Sequence, residues 1–207
     1  MKILIACEFS GTVREAFRAK GHDAWSCDLL PTEIPSLYHI QDDVLEHLDD
    51  GWDMMIAHPP CTYLSNAGIG WFNEEKYGEK ARERKQLRLK AAEFVEALWD
   101  APIERICIEN PVGWLNLHFR KPSQTIQPYY FGDTESKRTC LWLKNLPLLK
   151  STHITIPEIK GYFMSGKKEG KPIYFVDSIH GRNRAIERSR TFPGIAEAMA
   201  EQWSKSL

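Results

Sequence analysis

Long apolar runs are missing from this sequence: no window of 18 uncharged apolar residues occurs in its 207 residues. On length alone that excludes a membrane-spanning helix. The opening MKILIACEF reads as a buried strand and lacks a small-residue cleavage site, so no signal peptide is expected. The expected compartment is the cytoplasm, and the economy of the chain suggests a viral or mobile-element enzyme acting in a host cytoplasm. The five cysteines, Cys7, Cys27, Cys61, Cys107 and Cys140, form no C-x-x-C pair and no Cys/His cluster at zinc spacing. An odd, scattered set argues for reduced thiols, against a disulfide framework and against a structural metal. Net charge is missing too, at −1. A nucleic-acid binder this neutral has to concentrate its positive charge locally. Lys80–Lys90 (KARERKQLRLK) and Arg182–Arg190 (RNRAIERSR) are the candidate runs, and a solvated helix face accounts for either equally well.

What is present suits one α/β domain. Hydrophobic residues make up 43% and charged residues 27%, enough for a sizeable core and too apolar for disorder. No internal repeat or low-complexity linker divides the chain. Apolar, β-branched runs alternate with helical patterns, as in parallel βαβ units. Strands are expected at Lys2–Phe9, His22–Leu29, Asp53–Ala57, Glu104–Glu109 and Thr139–Leu143. Helices are expected at Val13–Lys20, Glu79–Trp99 (apolar positions Leu87, Leu89, Ala92, Val95 and Leu98) and Gly194–Lys205. Residues 144–180, richer in Pro, Gly, Lys and Thr, read as strands and loops added to the core. The expected fold is a Rossmann-like, doubly wound, mostly parallel sheet with helices on both faces, its ligands beyond the carboxyl ends of the strands. The expected assembly is a monomer or a homodimer.

Two strand ends carry candidate chemistry. Pro60-Cys61-Thr62-Tyr63-Leu64-Ser65-Asn66-Ala67-Gly68 displays a cysteine on a tight turn after a buried strand, fixed in direction as a nucleophile must be. The thiolate is the reactive form, so such a site needs a nearby cation or a helix N-terminus to lower the thiol pKa. A Pro-Pro turn with an incidental cysteine is the plainer explanation. The other four cysteines sit in apolar runs and read as small buried hydrophobes. In Ile108-Glu109-Asn110-Pro111 a glutamate ends another buried strand. Burial beside a desolvated ring would raise its pKa and keep it protonated, able to donate to a ring nitrogen; a carboxylate capping the next turn is the alternative. Trp71, Phe72 and Tyr77 read equally as a stacking platform or as anchors of a loop. His58 reads as a turn or packing histidine rather than a metal ligand, and His180 with Arg182 to Arg184 as a phosphate-contacting loop or a solvated turn.

Taken in order, these residues resemble the DNA cytosine-5 methyltransferase family, in a compact, phage-like form. Pro60-Cys61 with Leu64–Gly68 is similar to its nucleophile motif, and Glu109-Asn110 to its glutamate motif, with Pro111 where an aliphatic residue is usual. Phe9-Ser10-Gly11 resembles the cofactor loop after the first strand. Asp28 falls where an acidic residue holds the ribose hydroxyls, and Asp42-Asp43-Val44 resembles the motif that contacts the adenine. Ser136-Lys137-Arg138-Thr139 resembles the arginine motif near the flipped base, and Arg190-Thr191-Phe192-Pro193 a late segment. The first five elements cover roughly residues 3–115, and as an ordered set they are specific.

The resemblance implies S-adenosyl-L-methionine as cofactor, held by Glu8, Phe9, Ser10, Gly11, Asp28, Asp43 and Pro60. It implies Cys61, Glu109 and Arg138 as catalytic residues, and Ser65, Asn110, Lys137 and Arg182 on the substrate side. DNA, duplex or single-stranded, is the implied partner, and no metal is required. Two departures stand out. The cofactor loop, SGTV, lacks the second glycine pair, and only residues 144–180 remain for target recognition. Contacts there and at Arg182–Arg184 are therefore expected to favour phosphate over base edges. The same chemistry on a nucleotide, on RNA or with a modified sulfonium donor stays open. So do a non-catalytic DNA-binding decoy and an amine methyltransferase, although the latter commonly has an aromatic residue in the Cys61 slot.

Overall fold

A computed structural model describes residues 1–181 and 184–205. Its centre is a seven-stranded sheet in the order β3-β2-β1-β4-β5-β7-β6, comprising β1 (Lys2–Ala6), β2 (Asp23–Cys27), β3 (His39–Ile40), β4 (Met54–Ala57), β5 (Arg105–Pro111), β6 (Gln124–Ile126) and β7 (Thr139–Lys144). The first five strands run parallel, and β7 lies antiparallel between β5 and β6. The fold is thus mixed α/β with a mostly parallel central sheet flanked by helices, compatible with the Rossmann-like class expected.

Parallel strands covered on both faces need apolar side chains at successive positions. KILIA and MMIA supply them, and Met54–Ala57 is buried throughout. Alternate residues point to opposite faces. Ile3, Ile5, Met54, Ile56 and Cys107 pack with Val13 and Phe17 of α1 (Thr12–Ala19) and with Ile195, Met199 and Trp203 of α7 (Pro193–Trp203). Leu4, Ala6, Met55, Ala57, Ile106 and Ile108 face the other way, onto Val95 and Leu98 of α3 (Glu79–Trp99). Between the main elements lie α2 (Glu74–Tyr77) and α4 (Leu115–His118). The strands β8 (Gly161–Tyr162) and β9 (Pro172–Ile173) form a separate antiparallel pair within residues 144–180, followed by α5 (Phe175–Ser178) and α6 (Arg184–Ser189).

The α3 face differs from expectation. Leu87 and Leu89 are 41% and 48% exposed, and the buried positions are Ala81, Ala92, Val95 and Leu98. At 3.6 residues per turn the stripe through Ala92 and Val95 runs back through Arg88 and Arg84. The two arginines therefore occupy the inner face that the leucines were expected to take. Among the described residues, no helix is long and apolar enough to cross a membrane.

Candidate active site

The strand order reverses between β1 and β4, the switch point beyond which doubly wound sheets hold ligands. Past the carboxyl ends of β4 and β5 opens a cavity of about 730 Å³. Cys61, Ser65, Glu109, Asn110, Lys137 and Arg138 all line it, although they come from three separate stretches of sequence. The antiparallel course of β7 makes this possible. Thr139, its first residue, pairs with Pro111 and Leu141 pairs with Glu109, so Lys137 and Arg138 arrive at the edge where β5 ends. Pro60, expected on the cofactor side, also faces this cavity. Arg182 lies outside the described residues.

The Cys61 turn is pinned from two sides. Asn110, only 1% exposed, donates from Nδ2 to the Pro59 carbonyl at 2.8 Å, leaving its Oδ1 buried without a partner among the described residues. Trp114 N–H donates to the Leu64 carbonyl at 2.7 Å, and Ser65 bridges to Gly113. From α3, Arg84 donates to the Thr62 carbonyl at 3.1 Å and Arg88 to that of Tyr63 at 2.9 Å. Arg88 also lies over the Phe72 ring, 3.3 Å from its centroid. These two members of the basic run thus hold the Cys61 turn, a role their sequence does not announce. Trp71 stacks near Tyr77, centroids 4.8 Å apart, yet stays 57% exposed at the cavity rim.

The electrostatics of Glu109 reverse the expected protonation. Burial pushes its carboxyl up, but the Lys137 charge and the hydrogen bonds from His58 and Thr139 outweigh it and hold it below the ordinary carboxylate value. Glu109 is therefore ionised in the free protein. For Cys61, burial comes first and raises the thiol above 9.0; Glu109 adds to the rise, while Lys137 and Arg188 oppose it. Lys137, which donates from Nζ to the Arg188 carbonyl at 2.9 Å, is the cation acting on both groups. His58 is no mere packing residue: its Nδ1 lies 2.9 Å from Glu109 Oε2, and its buried Nε2 has no partner among the described residues.

The residues expected at the cofactor gather at the ends of β1 and β2. Glu8 is buried and caps α1, accepting from Val13 N–H at 2.7 Å, Arg14 N–H at 3.2 Å and Ser10 Oγ at 3.2 Å. Its carboxylate fills the seat that a helix N-terminus offers an anion. Gly11 has φ +77, and an added Cβ would meet the Arg14 guanidinium at 2.6 Å. Its open side is thus filled from within by a fully buried arginine, which reaches across to Ser26 at 2.7 Å. Phe9 is buried and accepts at its carbonyl from Glu33 N–H. Asp28 accepts from Leu30 N–H at 2.9 Å, with burial raising its pKa against those backbone donors. Asp43 caps the turn Val44–His47 through Leu45 N–H. Cys7, expected as an ordinary buried thiol, is half-buried at the tip of β1 in the left-handed region, φ 58. Burial, and then the neighbouring Asp28, Cys27 and Asp43, push its thiol pKa up. Glu33, on this side, forms an ion pair with Arg190, beyond α6.

No protein-family model matches the chain, and no curated protein matches it in sequence.

Proposed function

We propose that this protein is an S-adenosylmethionine-dependent methyltransferase acting on carbon 5 of cytosine in DNA through a covalent adduct on Cys61. The observation that carries the reading is the single cavity in which Cys61, Glu109, Asn110, Lys137 and Arg138 meet at the carboxyl edge of the sheet. A thiol, a carboxylate and cations around a space large enough for a flipped base suit nucleophilic addition to a ring.

In this reading Cys61 adds to carbon 6, and carbon 5 becomes able to take a methyl group. Glu109 binds ring N3 and the exocyclic amine, where charge develops. Cys61 gives its thiol proton to solvent in the open cavity as its sulfur bonds to carbon 6, Lys137 favours the thiolate so formed, and Arg138 meets the ring carbonyl or a phosphate. Loss of the carbon 5 proton and expulsion of Cys61 restore the ring. Carbon 6 is shielded in a duplex, so the base enters flipped or already unpaired. The cofactor would lie at the ends of β1 and β2, beside Asp28 and Asp43. Glu8 excludes a pyrophosphate from the start of α1, whereas Asp28 and Asp43 suit ribose hydroxyls, an adenine amine and a positively charged donor. When bound there, the cofactor supplies an electrophilic methyl group.

DNA carrying 5-fluorocytosine tests this, because fluorine cannot leave carbon 5 as a proton does. A complex stable to denaturing electrophoresis should form, require the cofactor and vanish in Cys61→Ser, while Glu109→Gln should slow trapping and leave cofactor binding near normal. Methyl transfer to DNA by Cys61→Ala would overturn the reading; binding of DNA without adduct or transfer would indicate a decoy.

A further inference from the structure

We propose that His58 positions Glu109 and stores the proton that Glu109 delivers to the ring of the bound base, an inference that rests on the cytosine reading of the cavity. The His58 side chain is only 5% exposed and meets Glu109 Oε2 through Nδ1 at 2.9 Å. The Thr191 hydroxyl, ahead of α7, lies 3.5 Å from the same nitrogen. Nε2 is buried and unpartnered among the described residues. Because an ionised carboxylate can only accept, Nδ1 carries the proton. A buried ring nitrogen left without a partner is costly, and functional sites are where such costs are found.

The surroundings identify the role. Three carboxylates from the carboxyl edge of the sheet act on this ring: Glu109 near the end of β5, Glu8 after β1 and Asp28 after β2. Lys137 acts on Glu109 from the start of β7. His58 thus stands between the crevice at β1 and β2 and the cavity at β4 and β5. Glu109 has to donate to N3 of the ring, yet Lys137, His58 and Thr139 keep it ionised before the base arrives. A proton held on the imidazolium removes the conflict. The N–H bond at Nδ1 breaks as an O–H bond forms at Oε2, so an ion pair becomes a neutral pair with no change in total charge. The carboxyl proton then passes to N3. When the ring regains aromaticity the proton returns by the same path, and no outside acid is consumed.

The test compares wild type with His58→Asn, whose side-chain amide can still donate to Glu109 but stores no proton. Single-turnover methyl transfer to DNA is measured against pH, with cofactor affinity measured by calorimetry. His58→Asn should bind the cofactor as wild type does, and its transfer should slow by about 100-fold near neutral pH, the lower end of what proton delivery contributes. The pH dependence of the wild-type rate should differ from that of the variant, which has no ring proton to deliver. Nitrogen-15 spectra give a readout that needs no turnover. The wild type should show a downfield Nδ1–H proton that moves in Glu109→Gln. Matching pH profiles in an active wild type and His58→Asn, or an Nδ1–H signal indifferent to Glu109→Gln, would overturn the proposal alone. A wild type that transfers no methyl group to DNA would overturn the methyltransferase reading, and the proton store with it.

Discussion

Arg88 donates from Nε to the carbonyl of Tyr63 at 2.9 Å, joining the middle of the longest helix to the turn that displays Cys61. Burial and the neighbouring Arg84 lower the pKa of this guanidinium, yet it stays charged in any practical range, and its plane covers the Phe72 ring. Arg88→Met keeps much of the packing and removes the donor. The expected result is a loss of about 1–2 kcal/mol in stability and roughly tenfold slower adduct formation with 5-fluorocytosine DNA. S-adenosylmethionine affinity should not change, because the residues proposed to hold it lie at the ends of β1 and β2. Urea denaturation and gel trapping measure the two effects separately.

Gly113 should tolerate no side chain. An added Cβ would sit 2.1 Å from the Leu64 carbonyl oxygen and 2.8 Å from Ser65 Cα, both backbone atoms. Gly113→Ala must therefore push the two strand-end loops apart, at a cost of about 2–3 kcal/mol. Gly70→Ala is the control, since its Cβ would meet nothing within 4 Å. Equal denaturation midpoints for the two variants would show that the loops are not in contact.

The raised Cys61 thiol has a sign that can be checked. Burial holds it above the ordinary thiol value, so only a small minority is thiolate at neutral pH. Alkylation by iodoacetamide at this residue should climb through pH 9 without levelling off. Glu109→Gln removes a negative charge that raises the thiol pKa and should speed alkylation several-fold. Lys137→Met removes a charge that lowers it and should slow alkylation by a similar factor, given that one pKa unit is tenfold in thiolate. Peptide mass spectrometry separates Cys61 from Cys7. A plateau below pH 8 would contradict the rise that burial gives this thiol.

Asp28→Ala should weaken S-adenosylmethionine binding about tenfold, the value of one hydrogen bond to a charged acceptor. The carboxylate already accepts from Leu30 N–H, so Asp28→Asn should cost less than the alanine. Titration calorimetry decides, and unchanged affinity in Asp28→Ala would remove this residue from the cofactor site.

The strands of the core were legible because the apolar runs at Lys2–Ala6, Met54–Ala57 and Arg105–Ile108 are continuous. The end of β1 was read too far out, since Cys7 to Phe9 lie beyond it where the backbone turns left-handed at Cys7, whereas β5 runs past the expected Glu109 to Pro111. The two-residue β3 and three-residue β6 are too short to carry a period and were missed. At the cavity, Cys61 and Glu109 could be read from where their strands stop. Their charge states could not, because Lys137 reaches Glu109 only through the antiparallel pairing of β5 with β7. His58 was passed over since its partner lies 51 positions away. Glu8 was read as a ligand contact, but its hydrogen bonds go to backbone N–H groups of α1, partners that leave no side-chain signature in a sequence.

The interlock of the β4 and β5 loops through Asn110, Gly113 and Trp114 has a mechanical consequence. The turn that carries Cys61 is fastened to the strand that carries Glu109, so a displacement of one is resisted by the other. The far rim of the cavity is built from Tyr174, Arg184 and Arg188, on and beside the short α5 and α6. Just past α6, the Arg190–Glu33 ion pair fastens this rim to the segment that follows β2, so the cavity is braced from outside the strands that carry Cys61 and Glu109.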